Sequence, residues 1–321
     1  MFVKLQQFWT IARNSALEII RDPIYVILLT VTFGLIGFLP VVSAYALGGQ
    51  QKFVHDSSLA ALWVIGLMAA AFGASNAVTR EIQGGTALAV LSKPVDRSLF
   101  ILAKFVGLCL ALAVLTFSGT VAALASSRMA AKDFHIDPVV AWPYYLTIVA
   151  GYLLAAFGNY FLKRQFQQDA VWLTVLLFVV GFAVVNFFDA AGKPHKYGDL
   201  VNWQLVPACA LIFLALMMTA SLTIALSTRL DAIPTLTLGV GIFLIGLMSD
   251  YLFGRHADEN LLWATVYGII PNWQHFWMAD ALSAKTPIPW AYVLGAARYA
   301  FLYLAAFLAF GLFLFEEREL G

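Results

Sequence analysis

Long apolar runs separated by short polar breaks dominate the chain. Eight of them have roughly the 17 to 25 residues that a helix needs to cross a hydrocarbon layer: about 24 to 47, 59 to 78, 100 to 126, 143 to 162, 171 to 188, 206 to 227, 233 to 253 and 290 to 315. The pattern predicts an all-α, polytopic helical membrane protein, one transmembrane domain over residues 1–321 with about eight spans. The fifth run is short, and the third carries Lys104 near one end.

Two segments depart from this pattern. In residues 1–22, Leu5, Phe8, Trp9, Ala12, Ala16, Ile19 and Ile20 recur at helical spacing, with Lys4, Gln6, Arg13, Asn14, Glu18 and Arg21 between them. That stripe predicts an amphipathic helix lying at the membrane interface, with Asp22-Pro23 turning the chain into the bilayer. Between the last two runs, residues 254–288 are broken by Gly268 and Pro271 and carry Trp263, Tyr267, Trp273 and Trp277. Aromatic residues of this kind suit the headgroup level, so re-entrant or interfacial helices on the outer face are expected there.

Basic residues set the expected orientation. Eleven lysines and arginines fall on the side of the termini and seven on the other, while Arg298 lies within the last run. The excess places both termini in the cytoplasm.

Composition agrees with the pattern: 62% hydrophobic and 12% charged residues, against about 45–50% and about 25% in a soluble domain. Lys plus Arg and Asp plus Glu nearly cancel at 19 and 18, so no basic excess points to nucleic acid. Cys109 and Cys209 lie deep in apolar runs without C-x-x-C spacing, which suggests neither a disulfide framework nor a zinc site. His55, His135, His195, His256 and His275 all fall in expected outer loops, no two at ligand spacing, and no metal is expected. No catalytic constellation is present: there is no H-E-x-x-H and no G-x-S-x-G.

The most polar stretch of the first third is REIQGGTALAVLSKPVDRSLFILAKFVG, residues 80–107. Gly84-Gly85 should end the preceding helix, Thr86 can cap a short new one, and Lys93-Pro94 turns the chain again. Asp96 or Ser98 can then cap the helix of the third run. The expected product, over residues 80–98, is a short helix along the membrane surface edged by Glu81, Lys93, Asp96 and Arg97.

This stretch resembles the signature of type-2 ABC transporter permeases, in which E-x-G-T and L-S-K-P-V-x-R-x-x-F-x-x-x-K-F form the cytoplasmic loop after the second span. Two further fragments are similar to the family: ALSTRLDAIPTLTLGVGIFLIG (225–246), like its tight cytoplasmic hairpin, and VYGIIPNWQHF (266–276), like the segment before its last span. The subgroup most alike includes the permeases of copper-enzyme (nitrous oxide reductase) maturation systems. The resemblance implies a permease subunit in the bacterial cytoplasmic (inner) membrane, working as a homodimer or heterodimer among membrane lipids. ATP and Mg would sit in a separate ABC ATPase subunit, and this chain indeed has no G-x-x-x-x-G-K-[ST]. It further implies that Arg13, Glu81, Gly85, Thr86, Lys93, Pro94 and Arg97 dock that ATPase.

The family pattern has six spans. The surplus here falls at 143–188, an expected two-span insertion. Asn76, Asn159 and Arg298 are the candidate intramembrane polar groups for a conduit, whereas Ser75, Ser118 and Thr120 suit helix packing. A non-transporting scaffold subunit and a secondary transporter remain the alternatives, the latter requiring inverted repeats with broken helices.

Overall fold

The computed structural model describes residues 2–43, 49–75, 77, 96–130, 136–258, 260–284 and 286–316. Among these the protein is all-α, with twelve α-helices. They are α1 (Phe2–Arg21), α2 (Pro23–Ser43), α3 (Gln50–Ala74), α4 (Arg97–Met129), α5 (Pro138–Leu162), α6 (Phe166–Val185), α7 (Leu205–Ser227), α8 (Ala232–Leu247), α9 (Ser249–Leu252), α10 (Leu261–Ile269), α11 (Ala279–Ser283) and α12 (Trp290–Glu316). Seven of them, α2 to α7 and α12, are long and apolar enough to cross a membrane. An eighth span is formed if the bent pair 233–247 and 249–256 crosses as one unit.

Local chemistry starts these helices where the apolar runs begin. Asp22 accepts from the Ile24 amide at 2.9 Å and Pro23 occupies the first position of α2, where its missing N–H costs nothing. Asp137 and Pro138 repeat the device at α5, with Val139 N donating to Asp137 Oδ1 at 2.9 Å. The turn between α5 and α6 closes through Lys163 in the left-handed region, φ 56°. Arg164 grips Asp169 across the same turn at 2.7 Å.

Helices α3, α4 and α7 form the centre, with 67, 67 and 72% of their most apolar stretch buried, against 22% for α5 and 28% for α12. Leu62, Leu108, Leu112, Leu211, Ala215 and Leu216 are among the fully enclosed side chains. Around them lie α2, α8 and α12, and the α5–α6 hairpin attaches to the outside against α2 and α4. In lipid the hydrophobic effect gives little drive for helix association, so polar anchors and close packing matter more. Three α5 tyrosines supply such anchors: Tyr144 donates to Phe33 O and Tyr145 to Gly37 O, both at 2.7 Å, and the Tyr152 hydroxyl meets that of Thr30.

Both ends of the described chain lie at one end of the bundle, called the terminal face: Phe315 near the end of α12 stacks on Phe100 at the root of α4, and Lys4 pairs with Asp96. At the opposite, far face, Arg128 ties α4 to the hairpin. Its guanidinium donates to Val185 O at 3.0 Å, to Asn186 Oδ1 at 2.8 Å and to Phe188 O. A cation thus closes carbonyls that the end of α6 leaves open, with Asp137 also facing it at 4.0 Å.

One expectation needs correction. His55 is not in an outer loop: it lies within α3, buried, with Nε2 2.6 Å from Ser127 Oγ of α4. The seventh apolar run is bent: α8 and the following turns meet at 64°. The break has a packing cause. A Cβ at Gly246 would come within 2.3 Å of the Trp273 ring and 2.4 Å of Pro271 O, so the loop backbone lies against a helix surface that only glycine provides. Gln274 Nε2 donates to Leu247 O at 2.6 Å and satisfies a carbonyl at the break.

Replacing Arg128 with Ala leaves the carbonyls at the end of α6 and the Asp137 carboxylate buried without their cation. The expected loss is about 3 to 5 kcal/mol of stability, read as a lowered thermal midpoint of the full chain in detergent; Arg128→Lys should recover part of it. An unchanged midpoint for Arg128→Ala would show that the hairpin is held elsewhere.

Candidate functional site

The terminal face is built by α1 lying along the first turns of α4. Lys4 Nζ meets Asp96 Oδ2 at 2.8 Å, and further along Lys104 Nζ, almost wholly buried, lies 3.8 Å from Glu18 Oε2. One turn past Lys104 on α4 the helices nearly touch. A Cβ on Gly107 would lie 2.6 Å from Ala12 O and 2.7 Å from Ser15 Cβ, so the backbone of α1 rests directly on α4. The apolar stripe of α1 is therefore divided: Ala12, Ala16, Ile19 and Ile20 are buried against protein, while Leu5 and Trp9 remain exposed for lipid. On its polar flank Asn14, Leu17, Glu18, Arg21 and Asp22 line a groove of about 330 Å³.

The same face joins the last helix. Phe100 and Phe315 stack with ring centres 6.3 Å apart, and Arg229, in the turn between α7 and α8, donates to Leu314 O at 2.9 Å. Arg13 is exposed on α1 and Arg97, the first residue of α4, is exposed beside Asp96. Glu81, Gly85, Thr86, Lys93 and Pro94, the rest of the expected docking surface, lie outside the described residues, as does Asn76. Of the other intramembrane candidates, Asn159 sits near the terminal-face end of α5 and its Nδ2 donates to Arg164 O at 2.7 Å, fastening the turn. Arg298 is exposed on α12 about two turns from Trp290, on the same outward side as Leu294 and Leu302. The structure does not bring Asn159 and Arg298 together: α5 packs chiefly on α6, and α12 chiefly on α7. Ser118 and Thr120 donate into their own helix, to Val114 O at 2.8 Å and Thr116 O at 2.7 Å.

A second polar site, which the sequence reading did not single out, gathers around the break after α8. Asp250 Oδ1 accepts from Tyr267 at 2.5 Å and from Asn272 Nδ2 at 2.8 Å. Tyr299 of α12 accepts the Asn272 amide at 2.7 Å, and Tyr303 donates to Gly268 O at 2.8 Å. Tyr303 falls midway along α12, a helix of 27 residues. At 1.5 Å per residue the whole helix covers about 40 Å, against about 30 Å of hydrocarbon, so the 268–272 backbone reaches well into the depth of the bundle. Asp250, Tyr251, Gly254, Arg255, Tyr267 and Gln274 line an open cleft of about 500 Å³ beside it. One signal was available in advance: Asp250 is an acid inside an apolar run, a costly placement that marks function or pairing.

Fold and surface together define a multi-span helical membrane protein, polar at its two faces and apolar around its girth. No protein-family model matches the chain, and no curated protein matches its sequence. Among the described residues no group of three or more His, Cys, Asp or Glu side chains is placed to hold a metal ion.

The interlock of α1 and α4 makes a direct test possible. With cysteines at positions 4 and 96, a short bismaleimide should join the two helices in membranes. Gly107→Leu should abolish the cross-link by wedging α1 away while α2 to α7 stay folded; a cross-link of undiminished yield would refute the close contact.

Proposed function

We propose that this chain is the membrane-spanning permease subunit of an ATP-binding cassette transporter, with ATP bound and hydrolysed by a separate subunit at the terminal face. The observation that carries the reading is the 80–107 stretch: its Q-x-G-T (83–86) and L-S-K-P-V-x-R (91–97) elements lead up to Arg97, where α4 begins, at the helix clamped by α1. A push on residues 80–97 or on Arg13 would enter a pair of helices with no slack between them, because Gly107 and Lys104 hold α1 against α4. From there α4 leads without interruption to Arg128 and the hairpin at the far face. ATP-driven closure of the ATPases would thus rock α1 and α4 together and shift the far face around the broken span.

In this reading the terminal face is cytoplasmic, the membrane is the bacterial inner membrane, and two permease chains, identical or not, work with two ATPases. Residues 143–188, most of which lie in the α5–α6 hairpin, would supplement a six-span core. One observation favours a second reading, an ion-coupled secondary transporter: the span broken at 247–249 with Asp250 at the break. Substrate uptake driven by a proton gradient in vesicles free of ATP would select it.

Replacing Glu81 and Arg97 together with Ala should lower ATP turnover by the assembled transporter by about tenfold or more, equivalent to about 1.4 kcal/mol or more of lost coupling, with the thermal midpoint of the permease unchanged. Undiminished turnover and undiminished association with the ATPase would reject residues 80–97 as the docking surface.

A further inference from the structure

The cleft beside the broken span holds two charges that do not pair. Asp250 is held by two neutral donors, Tyr267 and Asn272, both on Oδ1. Among the described residues no lysine, arginine or histidine forms an ion pair with it. Arg255 lines the same cleft with its guanidinium carbon 4.3 Å from the centre of the Tyr251 ring, and no described carboxylate pairs with it. An anion and a cation kept apart in one cleft, with two tyrosines in its wall, complement a ligand that carries both signs. An ammonium suits a carboxylate whose second oxygen accepts no protein hydrogen bond among the described residues, and a phosphate suits the fork of an arginine.

We propose that this cleft binds a phospho-ammonium zwitterion, its ammonium on the Asp250 carboxylate beside Tyr267 and its phosphate on Arg255. The surroundings fit a headgroup delivered with its acyl chains: Leu252, Leu261, Leu262 and Ile269 are exposed around the same segment, and Tyr303 holds Gly268 level with the middle of α12. A soluble phosphoamine has the same chemistry and is separated from the lipid by the test. The inference rests on the cleft alone and stands whether or not an ATPase drives the protein.

The experiment is native mass spectrometry of the purified full chain in detergent, titrated with phosphatidylethanolamine or with phosphatidylglycerol, which has the phosphate without the amine. The intact chain should retain the first about tenfold more strongly than the second. Asp250→Asn keeps an oxygen for both hydrogen bonds and should erase that preference without lowering the thermal midpoint. Arg255→Gln, at an exposed position, should weaken both lipids and provides a variant that leaves the network intact. Displacement of phosphatidylethanolamine by millimolar phosphoethanolamine would support the site with a soluble ligand as its source, and no displacement would support it with the lipid. Equal retention of the two lipids by the intact chain, or an undiminished preference in Asp250→Asn, would overturn the proposal.

Discussion

A backbone carbonyl at a helix end has no water to turn to inside a hydrocarbon layer, and the arrangement of this protein follows from how such groups are satisfied. Long uninterrupted helices satisfy most of them internally. Where a helix stops or bends, a side chain from another element supplies the donor: Arg128 to the end of α6, Gln274 to Leu247 O at the break, Arg229 to Leu314 O, and Asn159 to the end of the α5–α6 turn. Tyrosines do the same at shorter range, Tyr303 on Gly268 O and Tyr292 on His275 O. Apart from the Asn159 bond, which closes its own turn, these bonds do more than complete a helix, because each also joins two elements separated along the chain. The polar residues of a chain this apolar are thus concentrated where the fold is tied together.

The same constraint makes the exceptions informative. Asp250 brings a carboxylate to the one bent pair among the described spans, and neutral donors meet only one of its oxygens. At the terminal face the contact of α1 with α4 buries Lys104 beside Glu18 and depends on Gly107 having no side chain. Helices that touch backbone to backbone move as one body, since the dense interior around them does not deform gradually. That rigidity is what would let a surface helix transmit force to the far end of α4.

Much of the fold was legible in the sequence because run length alone decides what spans a membrane. All eight apolar runs correspond to helices, and Asp22-Pro23 marks the boundary between α1 and α2. Contacts between spans were not legible. Helices α3, α4 and α7 are apolar on all sides, so no periodicity says which face meets protein and which meets lipid. For that reason His55 reads as a loop residue although Ser127 receives it inside the bundle, and the break after α8 is hidden in an apolar run until Gly246 is seen against Trp273. Asp250, Tyr267, Asn272 and Tyr299 are spread over fifty residues of chain and become a site only when the loop folds back onto α12. Asn159 showed the opposite limitation: an amide in an apolar run invites a conduit reading, but a bond five residues on occupies it.

The central claim is that the terminal face belongs to a permease driven by a separate ATPase. Its most direct test is to purify the tagged chain from its native membrane in mild detergent and identify by mass spectrometry every protein that accompanies it in stoichiometric amount. The account predicts an ATPase carrying a phosphate-binding G-x-x-x-x-G-K-[ST] loop. Recovery of the chain with other membrane subunits and no such ATPase would contradict it.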